Sequence, residues 1–108
     1  MSKQEESKIA RQEKSAALIV RFEEVLPTLG HVNVGFRPTP AAKAIVVFLS
    51  EHEGEPLTKS AIAAAVGRSE KTVDRLISKL RVNGYVVSEE RWAQSGAQLA
   101  NTYRLDRD

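Results

Sequence analysis

The chain has 108 residues, 42% of them apolar and 28% charged, which suits one globular domain with a small core and confines intrinsic disorder to the ends. It holds no cysteine, so disulfides, thiol redox chemistry and cysteine-ligated zinc are excluded. The net charge is only +2, so an electrostatic role must come from where charges lie rather than from their sum.

Other function classes are equally poorly served. No apolar run reaches the roughly 20 residues of a membrane span, and the opening MSKQEESK lacks a signal-peptide core, so no membrane partner and a cytoplasmic location are expected. His31 and His52 stand alone, without carboxylates at ligand spacing, so no metal and no cofactor are expected. There is no Gly-rich phosphate loop, no nucleophile beside a base and no cleft-forming carboxylate pair, which argues against an enzyme. A small-molecule sensor has little room for a pocket in so short a chain.

Residues 1–8 are polar, and from about Ile9 the pattern turns helical. Leu18, Phe22, Val25, Leu26 and Leu29 fall at i, i+4, i+7, i+8 and i+11, one stripe of a helix. Residues 1–29 carry five cations and five anions, so this unit is a poor holder of phosphates. Its stripe must bury against the domain's own core or against the same helix of a second copy, which makes these five residues candidate homodimer contacts. The remainder, 30–108, is a domain of its own. It opens irregularly, with Gly30 and HVNVGFRP, where the alternation of Val32, Val34 and Phe36 fits either a short strand or a loop over the core.

Thr39-Pro40 supplies a capping hydroxyl and a proline for the first helical position. In the following AAKAIVVFLSEHEG, Ala41, Ala44, Ile45, Phe48 and Leu49 keep helical spacing while Val46 and Val47 fill the remainder. A helix this apolar is expected at the centre of the core, ended by Gly54. Glu51, Glu53 and Glu55 make its far end acidic, which should point away from any polyanion.

The stretch LTKSAIAAAVGRSEKTVDRLISKLRVNG, residues 57–84, reads as two short helices joined by a tight turn. Thr58 caps KSAIAAAV, Gly67 can take the positive φ that ends it, and Ser69 caps a second helix over 70–82 ending at Asn83-Gly84. Ala63 permits close approach, and Ile62, Val66 and Leu76 supply apolar contacts at a steep crossing. This is a helix-turn-helix arrangement, whose second helix suits the DNA major groove. On that helix Val73, Leu76, Ile77 and Leu80 share one side. Arg68, Lys71, Arg75 and Lys79 line the other, with Arg68 in the turn just ahead of it. Like charges at i and i+4 cost helix stability, so an anion is expected to offset them. Residues 57–84 hold six cations against two acids, a local charge of +4 that leaves −2 for the other eighty residues.

Tyr85 to Glu89 has strand composition, and Leu99, Asn101, Tyr103 and Leu105 alternate with Ala100, Thr102, Arg104 and Asp106 as in a half-buried strand. The two strands make a β-hairpin with a polar loop over 90–98, in which Arg91 is the best cation for a DNA backbone or minor groove. Trp92 either folds back on the core, the expected place, or packs on a partner or sugar.

The order helix, helix, second helix, hairpin resembles the winged helix-turn-helix domains of bacterial, plasmid and phage regulators and replication initiators. Leu57 to Val87 and the closing NTYRL at 101–105 carry the likeness, which spans roughly residues 38–106. It implies an α+β, mainly α fold: a winged helix-turn-helix with an extra N-terminal helix and a C-terminal β-hairpin wing. It also implies double-stranded DNA as partner, a nucleoid-associated location and a role in transcription regulation. Glu70, Lys71, Asp74 and Arg75 would face bases, and Arg68, Ser69 and Lys79 phosphates. Thr58, Lys59, Thr72, Ser78 and Arg91 complete the set of contacts. Glu70 departs from a basic ridge, either accepting from a cytosine amine or supporting the helix N-terminus. The N-terminal helix is similar to that of multidrug-resistance-type regulators, whose dimers also use a C-terminal helix; here the sequence ends after the wing. A protein-docking winged helix, or a plasmid or phage replication or partition accessory, is the alternative reading.

Overall fold

The computed structural model describes residues 17–108. The chain is α+β and mainly helical. We label α1 the helical residues 17–25, α2 Pro40–Glu51, α3 Lys59–Val66 and α4 Glu70–Val82; strands β1, Val86–Trp92, and β2, Gln98–Leu105, form an antiparallel hairpin. The start of the first helical pattern near Ile9 lies outside the described residues. None of the described helices is long and apolar enough to cross a membrane.

Local chemistry sets the helix bounds. Thr39 accepts from the Ala42 N–H with Pro40 behind it, Thr58 accepts from Ala61, and Ser69 accepts from Thr72. Gly67 ends α3 in the left-handed region at φ 69°, where a side chain would be strained. Gly84 does the same after α4 at φ 81°, and a Cβ there would stand 2.4 Å from the backbone oxygen of His31. The 31–33 loop therefore lies directly against the end of α4, held by Asn33 N–H donating to the Asn83 carbonyl at 2.9 Å.

The central helix is α2, as its composition requires: Ile45, Val46 and Leu49 are wholly buried. They meet Ile62 of α3, Val73 and Leu80 of α4, and Val86 and Leu105 of the hairpin in a single cluster. At about 1.5–3 kcal/mol per fully buried Leu, Ile or Val, this cluster is the main stabilising term. It fixes where the outer face of α4 points. The α1 stripe joins the same core: Phe22 and Leu29 are buried, Leu18, Val25 and Leu26 pack at its edge, and Phe22 stacks on Tyr85 at 6.3 Å between ring centroids.

Three expectations need correction, and the choice left open between strand and loop at residues 32–36 resolves to the loop. The α-helix gives way at Leu26–Thr28 to a 3₁₀ turn, because Pro27 cannot donate the next backbone hydrogen bond. Residues 32–36 form a loop, with Phe36 edge-on to Tyr85 and Val34 turned to solvent. Helix α2 stops at Glu51 with His52 as its cap, ahead of Gly54. The loop expected over 90–98 is shorter, since β1 continues through Arg91 and Trp92 and only residues 93–97 turn. Trp92 consequently lies beyond the core and is 58% exposed, as is much of Leu99 at 40%.

The hairpin pairs Val86 with Leu105, Ser88 with Tyr103 and Glu89 with Thr102; a bulge on β2 then shifts the register, so that Arg91 faces Leu99 and Trp92 faces Gln98. On its other edge β2 is flanked by residues 54–57, with Gly54 N–H donating to the Tyr103 carbonyl and Leu57 N–H to that of Asn101. That ladder ties the hairpin to the chain entering α3.

Candidate nucleic-acid interface

The cationic row lies where the helical wheel puts it. Burial of Val73, Leu76, Ile77 and Leu80 turns Lys71, Arg75 and Lys79 outward, and Arg68 is exposed in the turn before α4. Ion pairs among the described residues occupy Arg21 with Glu51, Lys59 with Asp74, Arg104 with Glu89 and Asp108, and Arg107 with Glu53. Arg68, Lys71, Arg75 and Lys79 enter none of these. Four neighbouring cations without a carboxylate partner among the described residues make a surface that gains by meeting an anion.

The acids of α4 behave differently from each other. Glu70 is the first residue of the helix, where its charge complements the exposed N–H groups of the first turn. Asp74 is ion-paired with Lys59 of α3, so it bridges the two helices and lowers the charge at the centre of the face. Both side chains are about half exposed, 46% for Lys59 and 56% for Asp74, so a competing phosphate can reach the lysine. The hydroxyls are also engaged: Ser69 donates to Thr72 Oγ1 at 3.0 Å, and Ser78 donates to the Asp74 carbonyl at 3.1 Å. Thr58 and Ser69 serve as caps, leaving the neighbouring N–H groups of each helix start to face solvent. Arg91 stands apart from this group, on the hairpin, exposed and opposite Leu99.

Acidic residues at the opposite end of α2 are consumed internally. Glu53 accepts from both Arg107 guanidinium nitrogens, at 2.6 and 3.0 Å, and from the Leu105 N–H at 2.7 Å. The Arg107 hydrogen bonds, aided by that N–H and by the positive charge, hold the Glu53 carboxyl below the usual range against the opposing effect of burial. Glu55 lies 2.8 Å from His52 Nδ1. Among the described residues, no three His, Asp or Glu side chains converge as a metal site would require.

Sequence reasoning missed two features of this region. The Lys59 to Asp74 pair joins residues 15 apart and depends on how α3 crosses α4. Trp92, expected in the core, is exposed because β1 runs on past the last residue that packs inward. Comparison with protein-family models, with curated proteins and with solved structures finds no match to this chain.

Proposed function

We propose that this chain is a winged helix-turn-helix protein that binds double-stranded DNA sequence-specifically and acts as a small transcriptional regulator. In this reading α4 lies in the major groove and the β1–β2 hairpin is the wing. One observation carries it: Lys71, Arg75 and Lys79 project from one exposed edge of a helix whose opposite edge is the core, Arg68 is exposed in the turn just before it, and none of the four has an ion-pair partner among the described residues. Helix geometry supports a division of labour. Lys71 and Arg75 lie in the first half of α4, the part of a recognition helix that reaches base edges, while Arg68 and Lys79 flank it at phosphate height. Arg75 is suited to bidentate contact with a guanine edge, and Lys79 to a point contact with a phosphate.

The reading is tested by titrating a labelled duplex between about 0.05 and 0.4 M salt. Three or four phosphate contacts predict a slope of log K against log salt of about −3 to −4, reduced by about one in Lys79→Ala. A flat salt dependence, or a Lys79→Ala slope equal to that of the unaltered protein, would remove α4 from the interface.

A further inference from the structure

We infer that Asn83-Gly84 is a latent modification site, a deamidating pair that the fold keeps in its amide form by means of Asn33. Asparagine occurs three times in the chain, and only Asn83 precedes a glycine. With no side chain to screen it, a glycine nitrogen reaches the preceding side-chain amide more readily than that of any other residue. The pair is fixed by other needs. Gly84 has φ 81°, and a Cβ there would collide with the His31 backbone, so no other residue fits. Asn83 closes α4, its Nδ2 donating to the Lys79 carbonyl at 2.7 Å.

Reaction begins when the Gly84 nitrogen gives its proton to solvent base and attacks Asn83 Cγ. The new N–C bond closes a five-membered succinimide as the Cγ–Nδ2 bond breaks and ammonia leaves. Water then opens the ring, to aspartate or to isoaspartate in which the main chain runs through the side-chain carboxyl.

The fold opposes the first step at each atom involved. Gly84 N–H donates to the Arg81 carbonyl at 3.3 Å, so the nitrogen keeps its proton. The bond to Lys79 draws the Asn83 side chain back along the helix, and Asn33 Nδ2 grips the other end of the amide, donating to Oδ1 at 2.9 Å. With ψ of Asn83 at 11°, the Gly84 nitrogen is nearly eclipsed with the Asn83 nitrogen, whereas the ring needs Cβ in that place. The Asn83 carbonyl must therefore turn, and the Asn33 N–H holds it at 2.9 Å. Tyr85 anchors the chain beyond, buried against Phe22 and donating its N–H to the Leu80 carbonyl at 2.9 Å. Conversion thus requires local opening of the 31–33 loop from the end of α4. Breaking about three hydrogen bonds, at roughly fivefold each, slows it on the order of a hundredfold.

Conversion also seals the opening. Aspartate cannot donate to the Lys79 carbonyl, and its charge sits at the negative end of the helix dipole. Isoaspartate lengthens the main chain between α4 and β1. The site is a one-way record of opening at this end of α4, and it does not depend on the duplex-binding reading.

Trypsin cutting after Arg81 and Arg91 isolates residues 82–91, in which Asn83 is the sole side-chain amide. Mass spectrometry of that peptide follows the gain of about 1 Da in the full chain held at mildly alkaline pH, native or in guanidinium chloride. Native conversion should be slower on the order of a hundredfold. Asn33→Ala should raise the native rate roughly two- to tenfold and leave the denatured rate unchanged. Asn33→Asp loses the same donor but keeps an acceptor for the Gly35 N–H, so it should act alike and carries the test if Asn33→Ala fails to fold. Equal native and denatured rates, or a folded Asn33 variant converting like the unaltered protein, would overturn the assignment. So would denatured conversion no faster at Asn83 than at Asn33 or Asn101.

Discussion

Replacing Asp74 with asparagine should strengthen duplex binding, because Asp74 spends a cation of the same face. Its carboxylate holds Lys59, which begins α3 beside the capping Thr58. The Asp74→Asn substitution would release that ammonium and remove the one acid from the middle of the Lys71, Arg75, Lys79 row. Each added phosphate contact contributes a factor of salt concentration to the power of about −0.9, or about eightfold at 0.1 M and about twofold at 0.4 M. The gain should therefore shrink with salt, and the slope should steepen by about one. Both partners are roughly half exposed, so the lost ion pair is worth at most about 1 kcal/mol and the thermal midpoint should move by no more than about 4–8 °C. Anisotropy of a labelled duplex over a salt series separates the outcomes. Weaker binding concentrated at one base pair, costing about 1–3 kcal/mol, would mean that Asp74 reads a cytosine amine and that the bridge to Lys59 opens on DNA. A gain that does not change with salt would refute the electrostatic reasoning outright.

Arg75→Ala should cost about 1–3 kcal/mol on the preferred site and relax discrimination at one or two base pairs, read by competition with single-base variants; unaltered preference would take Arg75 off the bases. The two left-handed glycines should part company in urea denaturation. Gly67→Ala meets no neighbouring atom and should lose only the backbone strain of about 1–2 kcal/mol, whereas Gly84→Ala adds a collision with His31 and should lose about 2–5 kcal/mol. Equal losses would show that the 31–33 loop does not press on the end of α4. The depressed Glu53 carboxyl contributes stability that is complete above the ordinary glutamate pKa of about 4.3 and is lost as pH falls through its lower folded value. Thermal melts across that acid range should show a weaker pH dependence in Glu53→Gln, and identical profiles would deny the Arg107 pairing.

The helical part was legible because its punctuation is local. Thr39-Pro40, Thr58, Gly67, Ser69 and Asn83-Gly84 act on backbone groups within four residues of themselves, and each occupies the cap or turn its chemistry suggests. The sidedness of α4 was legible for the same reason, since 3.6-residue periodicity needs no knowledge of the partner. The hairpin was harder. Glu89, Glu90, Arg91 and Trp92 are exposed on both faces, so no alternation marked how far β1 runs, and the turn lacks an Asn-Gly or Asp-Gly pair. Contacts between distant residues, Lys59 with Asp74 and Glu53 with Arg107, depend on helix crossing and on the course of the final strand. Neither leaves a mark on local sequence.

The most direct measurement is an amide map of the ¹⁵N-labelled protein titrated with a duplex at low salt. Shifts should gather over Arg68 to Lys79 and the start of α3, with weaker ones at the hairpin tip, and should fade as salt is added. Shifts confined to α1 or to the Glu53 end of α2, or none at duplex excess, would contradict a groove-bound α4.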